Sequence, residues 1–123
     1  MFARNVVLRL RPSSLNQFKQ TVDAQVIPLL RNQPGFKDLI TFALLRGTEV
    51  TAISLWQSRE HAEAYHTSGY ARVMKTLEPL LDGNPKLRIA DIVSSTFHKV
   101  TDRVAALGRF PFAVRAKAIR QEA

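Results

Sequence analysis

A chain of 123 residues, 46% hydrophobic and 23% charged, has room for one globular core. With no cysteine, disulfides, thiolate nucleophiles and zinc–thiolate centres are excluded, and any metal site would have to use His and carboxylates. The net charge of +8 splits evenly, with 12 Lys/Arg against 8 Asp/Glu through His98 and 6 against 2 from Lys99 onward, so half of the excess sits in the last 25 residues.

Residues 5–10 are aliphatic and β-branched and read as a first strand that stops before Pro12. Ser14 and Gln17 make a capping box for a helix whose stripe is Leu15, Phe18, Val22, Val26, Leu29 and Leu30. Pro28 should bend that helix or end its regular part, and Pro34-Gly35 closes it. Residues 39–45 and 50–56, joined by the turn Arg46-Gly47-Thr48-Glu49, form a hairpin. Ser58 caps a second helix with the stripe Ala62, His66, Tyr70, Val73, Leu77 and Leu80 and a weak point at Ser68-Gly69. The last strand runs from Leu87 to about Phe97.

The order β-α-β-β-α-β is the ferredoxin-like split βαβ unit, an α+β fold with two helices on one face of a four-stranded antiparallel sheet. A half-covered sheet should alternate apolar and polar residues, yet both parities of 39–45 are apolar or weakly polar. A second copy of the chain is the simplest cover, giving an obligate homodimer with stacked sheets, a dimeric α+β barrel. Residues 1–98 are expected to make this domain and 99–123 a basic C-terminal extension. There, residues 104–107 are a short helix candidate, and Phe110 and Phe112 either dock or belong to a mobile terminus.

The body has no dense basic stripe and no repeated aromatic platform, which argues against a nucleic-acid interface and for a solvated basic tail. No signal segment and no apolar stretch of roughly 20 residues is present, so a cytoplasmic protein without a membrane span is expected. The glycines match neither a dinucleotide nor a phosphate-loop fingerprint. His61 and His66 lie five residues apart, which turns them to different helix faces and argues against a metal pair.

Trp56, at a strand-to-helix corner, either lines a cavity or closes the end of the core and donates its N–H to a nearby carbonyl. His66, in the apolar stripe, is either a general base or a satisfied core histidine. Tyr65 and Tyr70 bracket it as ligand-orienting or packing aromatics.

The Pro34-Gly35-Phe36 corner, Trp56-x-Ser58-x-Glu60-x-Ala62 and Tyr65-His66-x-Ser68 resemble the antibiotic biosynthesis monooxygenase type of dimeric α+β barrel over residues 1 to about 98. That family includes cofactor-free oxygenases of polycyclic polyketides, quinol oxygenases and haem-degrading enzymes. The resemblance implies that Trp56 lines a substrate pocket, that Asn5 stands where haem-degrading members have a ligand-contacting Asn, and that Tyr65 replaces their second Trp. Lys75 falls at or near the position of the axial haem ligand, which argues against haem degradation. Ala52 and Ala62 replace the polar Asn and Tyr that flank the Trp of the polyketide oxygenases.

These readings converge on a cofactor-independent monooxygenase for a small aromatic, quinol-type or polyketide-like substrate held between helices and sheet. His66 is the expected proton acceptor, Asn5 or Trp56 donors to a ligand oxygen, and Tyr65 and Tyr70 substrate-binding residues, with no metal or other cofactor. The alternatives are a non-catalytic ligand-binding or stress-response dimer and a module that binds anionic partners through its basic tail.

Overall fold

The computed structural model describes residues 1–44, 47–96 and 98. Leu45 and Arg46 of the hairpin, Phe97 and the whole of the extension from Lys99, with its helix candidate and its two Phe residues, lie outside the described residues.

Four strands, β1 (Phe2–Arg9), β2 (Phe36–Ala43), β3 (Glu49–Trp56) and β4 (Lys86–Asp91), form one sheet in the order β2-β3-β1-β4. Both β1 and β2 pair antiparallel with β3. The helices are α1 (Leu15–Thr21) and α2 (Ile27–Arg31), joined by a wide π-helical turn at Val22–Val26, and α3 (Arg59–Ser68) and α4 (Tyr70–Leu77). The fold is the α+β ferredoxin-like one that the element order predicts. Residues Phe2–Ala90 form one compact unit. Outside it, the Ile92 amide donates to the Met1 carbonyl at 3.0 Å.

Several local expectations change. Ser14 makes no side-chain cap, because Ser13 adopts a left-handed φ of 62° and delivers Ser14 at φ −101°, ψ 0°, outside the extended geometry a capping residue needs. Leu15 is consequently exposed rather than part of the stripe. The π turn just before Pro28 opens the helix where a proline ring would meet a carbonyl one turn back, and Pro28 then sits in the first turn of α2, where its missing N–H costs little. The last strand ends at Asp91 instead of near Phe97. Ser58 does cap α3, accepting from the His61 amide at 3.2 Å.

Phe2, Arg4, Val6 and Leu8 are buried on the helix side of β1, and the residues between them face the other way. The core beneath the helices gathers Phe18, Val22, Val26, Leu30, Tyr65, Val73 and Leu77 against these strands. On the opposite face, register aligns Asn5, Ile53 and Ile40 across three strands. Ile40 is 37% and Phe42 51% exposed there, so an apolar surface is left open in the single chain. No helix among the described residues is long and apolar enough to cross a membrane.

Candidate functional site

Trp56 ends β3 and is wholly buried. Its ring stacks on Tyr65 with centroids 4.8 Å apart and meets the edge of Phe36 at 5.5 Å. Its Nε1 donates to Ser54 Oγ at 2.9 Å, a hydroxyl of its own strand rather than the carbonyl expected. The two corners of the chain are joined here, since the Gln57 amide donates to the Gly35 carbonyl at 2.7 Å. Gly35 has φ 80°, and a Cβ on it would overlap the His61 ring, so this corner requires glycine.

The second helical stripe runs through Ala62, Tyr65, Gly69, Val73 and Leu77, keeping both ends of the predicted one and replacing His66 and Tyr70 in its middle by Tyr65 and Gly69. The phase is set by Gly69: the Tyr65 ring lies so close that a Cβ there would stand 3.1 Å from it. The chain breaks at this glycine between α3 and α4, and Tyr65 takes the buried place. His66 is therefore exposed rather than in the core. It remains tied to the site, because Arg4 Nη1 donates to its Nδ1 at 3.1 Å and its ring stacks on Tyr70 at 5.1 Å. A guanidinium can only donate, so Nδ1 is the acceptor and a neutral ring carries its proton on Nε2.

A cavity of about 50 Å³ lies between sheet and helices. Its apolar wall includes Val6, Leu8, Val22, Val73 and Leu77, and its polar lining is Arg4, Thr41, Ser54, Tyr65 and Tyr70. Of the five expected site residues, Tyr65 and Tyr70 line the cavity. Trp56 stands behind Tyr65 and His66 beside Arg4 and Tyr70. Asn5 is placed on the other face of the sheet, between the cavity-lining Arg4 and Val6, so it cannot donate into this cavity. Its Oδ1 is buried there without a hydrogen-bond partner.

Arg4 is the residue the sequence reading missed. Starting the strand at Asn5 left it out, whereas the true start at Phe2 puts an arginine at an apolar parity, the signal that could have found it. It is only 2% exposed. Its guanidinium sits over the Tyr70 ring at 4.5 Å and the Tyr65 ring at 5.2 Å, and Nη2 is buried without a partner. Burial lowers the Arg4 pKa, but a guanidinium starts so high that it stays charged at neutral pH. Burial likewise raises both Tyr65 and Tyr70, partly offset by Arg4, so both phenols keep their protons. No cluster of metal-ligating side chains occurs among the described residues.

Residues 1–76 match the family described as antibiotic biosynthesis monooxygenase. The chain belongs to that family. Solved structures give the same fold at low identity. The ActVA-Orf6 monooxygenase of Streptomyces coelicolor, solved in complex with nanaomycin D, is 20% identical with a TM-score of 0.67, covering 80% of this chain and 92% of its own. SnoaB, a cofactor-independent oxygenase of Streptomyces nogalater solved as a mutant, is 12% identical with a TM-score of 0.64 over 79% and 97%. NE2512 of Nitrosomonas europaea, a protein of unknown function, is 13% identical with a TM-score of 0.66 over 80% and 94%. No curated protein matches the chain by sequence. The fold is thus shared between named oxygenases and a protein of unknown function, and here it carries a pocket in which Arg4 joins the expected Tyr65 and Tyr70.

Proposed function

We propose that this protein is a cofactor-independent monooxygenase for a small aromatic, quinol-type substrate, bound between helices and sheet and working as a homodimer. The observation that carries this reading is an apolar cavity in a monooxygenase-family fold with Arg4, Tyr65 and Tyr70 converging on it. Apolar walls with a few converging polar groups suit an aromatic ring bearing oxygen. At about 50 Å³ the cavity is smaller than the ~150 Å³ that holds benzene in an engineered protein core, so entry requires half-buried Met74 and Tyr70 to shift.

The substrate supplies the electrons. Deprotonation of a hydroquinone gives an anion that reacts with dioxygen, and overall hydroquinone plus O₂ yields hydroxyquinone plus water, one oxygen atom going to each product. His66 does not line the cavity, but its Nδ1 is bonded to Arg4, which does, and it accepts the proton when the substrate hydroxyl displaces Arg4 Nη1. Its exposure lets that proton leave to solvent. The guanidinium of Arg4 stabilises the anion left behind. Trp56 acts through Tyr65, whose ring it backs, and not as a donor, because its N–H is already committed to Ser54.

The homodimer reading rests on the open sheet face. Exposed Ile40 and Phe42 lie there, and a second sheet would cover them.

The small cavity favours one alternative, a family member that binds a ligand without turning it over. Oxygen uptake by metal-free protein against a panel of hydroquinones and phenols separates the two. Uptake that falls at least about tenfold in His66→Ala supports the oxygenase. No uptake with any panel member, in protein that binds one of them, makes the non-catalytic reading the right one.

A further inference from the structure

We propose that the pocket takes its ligand as a monoanion, an aromatic enolate, phenolate or carboxylate whose charged oxygen is bound by Nη2 of Arg4. The proposal deepens the oxygenase reading and rests on it for the identity of the site as the substrate pocket. It is carried by an imbalance in the empty site. Arg4 is only 2% exposed, yet among the described residues no carboxylate pairs with it. Nη1 has the His66 ring nitrogen, and Nη2 has nothing. The faces of Tyr65 and Tyr70 give some relief, but two such contacts are individually weak beside the cost of desolvating an ion. Arg4 lines the cavity, and a buried cation with an unpartnered N–H is complementary to an oxygen that carries the opposite charge.

The remainder of the cavity defines the rest of the ligand. Val6, Leu8, Val22, Val73 and Leu77 offer it no further charge, so one negative charge on an apolar body fits and a dianion does not. Tyr65 and Tyr70, whose rings face the guanidinium and whose phenols burial keeps protonated, also line the cavity. A hydroquinone reaches the anionic state once His66 has taken its proton, whereas a ligand that arrives already ionised binds Nη2 and leaves the contact between Nη1 and Nδ1 of His66 intact.

The test uses two matched pairs in titration calorimetry of the full-length protein at about pH 7: 2-hydroxy-1,4-naphthoquinone, an acidic enol, against its neutral 2-methoxy ether, and benzoate against benzamide. At least one anion is expected to bind about ten times more tightly or better than its neutral partner, and the preferred pair assigns an enolic or a carboxylate oxygen. Arg4→Met should abolish the preference and Arg4→Lys should retain part of it. If Arg4→Met fails to fold, a pH series on the unaltered protein stands in, with the enol losing its advantage once it is protonated. Equal binding within both pairs, no binding of any of the four, or a preference that survives in folded Arg4→Met overturns the proposal. Anion preference without oxygen uptake sinks only the oxygenase reading, and uptake without anion preference sinks only this one.

Discussion

Trp56 and Tyr65 lie face to face, 24° from parallel, with the indole on the side away from the cavity and the phenol on its wall. One aromatic thus belongs to the core and the other to the site, and the first fixes the second.

Removing the indole should cost stability before it costs chemistry. Trp56→Ala is expected to lose about 3–5 kcal/mol. Trp56→Phe, which keeps a ring but leaves the Ser54 hydroxyl without its donor, should lose about 1–3 kcal/mol. Urea unfolding measures both. A loss below about 0.5 kcal/mol in Trp56→Phe, no more than an exposed site gives, would show that the stack does not brace Tyr65.

Gly35 and Gly69 should respond differently to alanine. At Gly35 the left-handed φ of 80° alone costs roughly 1–2 kcal/mol, and the overlap with His61 adds to it. The double substitution with His61→Ala should recover the overlap and not the backbone strain. At Gly69 the new methyl crowds the Tyr65 ring at 3.1 Å, but alanine favours helix by about 1 kcal/mol, so the net change should be small. Equal losses at the two sites would contradict this account.

Alkaline pH should weaken the fold through its phenols. Tyr65 and Tyr70 are raised above their ordinary value by burial, so between about pH 10, where the unfolded chain releases these protons, and their higher folded values, the folded state holds more protons than the unfolded one. Stability is therefore unaffected by these groups below about pH 10 and falls above it. Tyr65→Phe should flatten that fall in a series of unfolding curves from neutral to strongly alkaline pH; an unchanged slope would remove Tyr65 from the explanation.

Charge on the open sheet face should dissociate the dimer. Ile40→Asp places a carboxylate beside Ile53 on the surface assigned to the second copy, and sedimentation should then give a folded monomer at micromolar concentration. A monomeric unaltered protein under those conditions would refute the dimer outright.

The fold was legible because its signals are local. The presence of each strand, the Pro34-Gly35 corner and the Ser58 cap could be read within a few residues, and the topology followed from their order. The misses arise where two elements must be phased against each other. Tyr65 and His66 are neighbours, and four-residue spacing from Ala62 favours His66; only the fit of the Tyr65 ring against Gly69, with Leu29 of α2 close behind, decides for the other. The family resemblance implies a ligand contact for Asn5, but a strand has two faces and one step of parity moves a side chain through the sheet. Arg4 escaped for the same reason in reverse, since a charge in an apolar parity is visible only once the strand is started at Phe2.

The solitary guanidinium of Arg4 also makes the protein's persistence depend on its surroundings. A fold that carries an uncompensated ion inside it is weaker when empty than its hydrophobic content alone would make it, and whatever satisfies that ion binds the native state and not the unfolded chain. Cells rich in the right small acid would hold more of this protein intact against proteolysis, and cells without it would hold less. Abundance itself would then report the ligand.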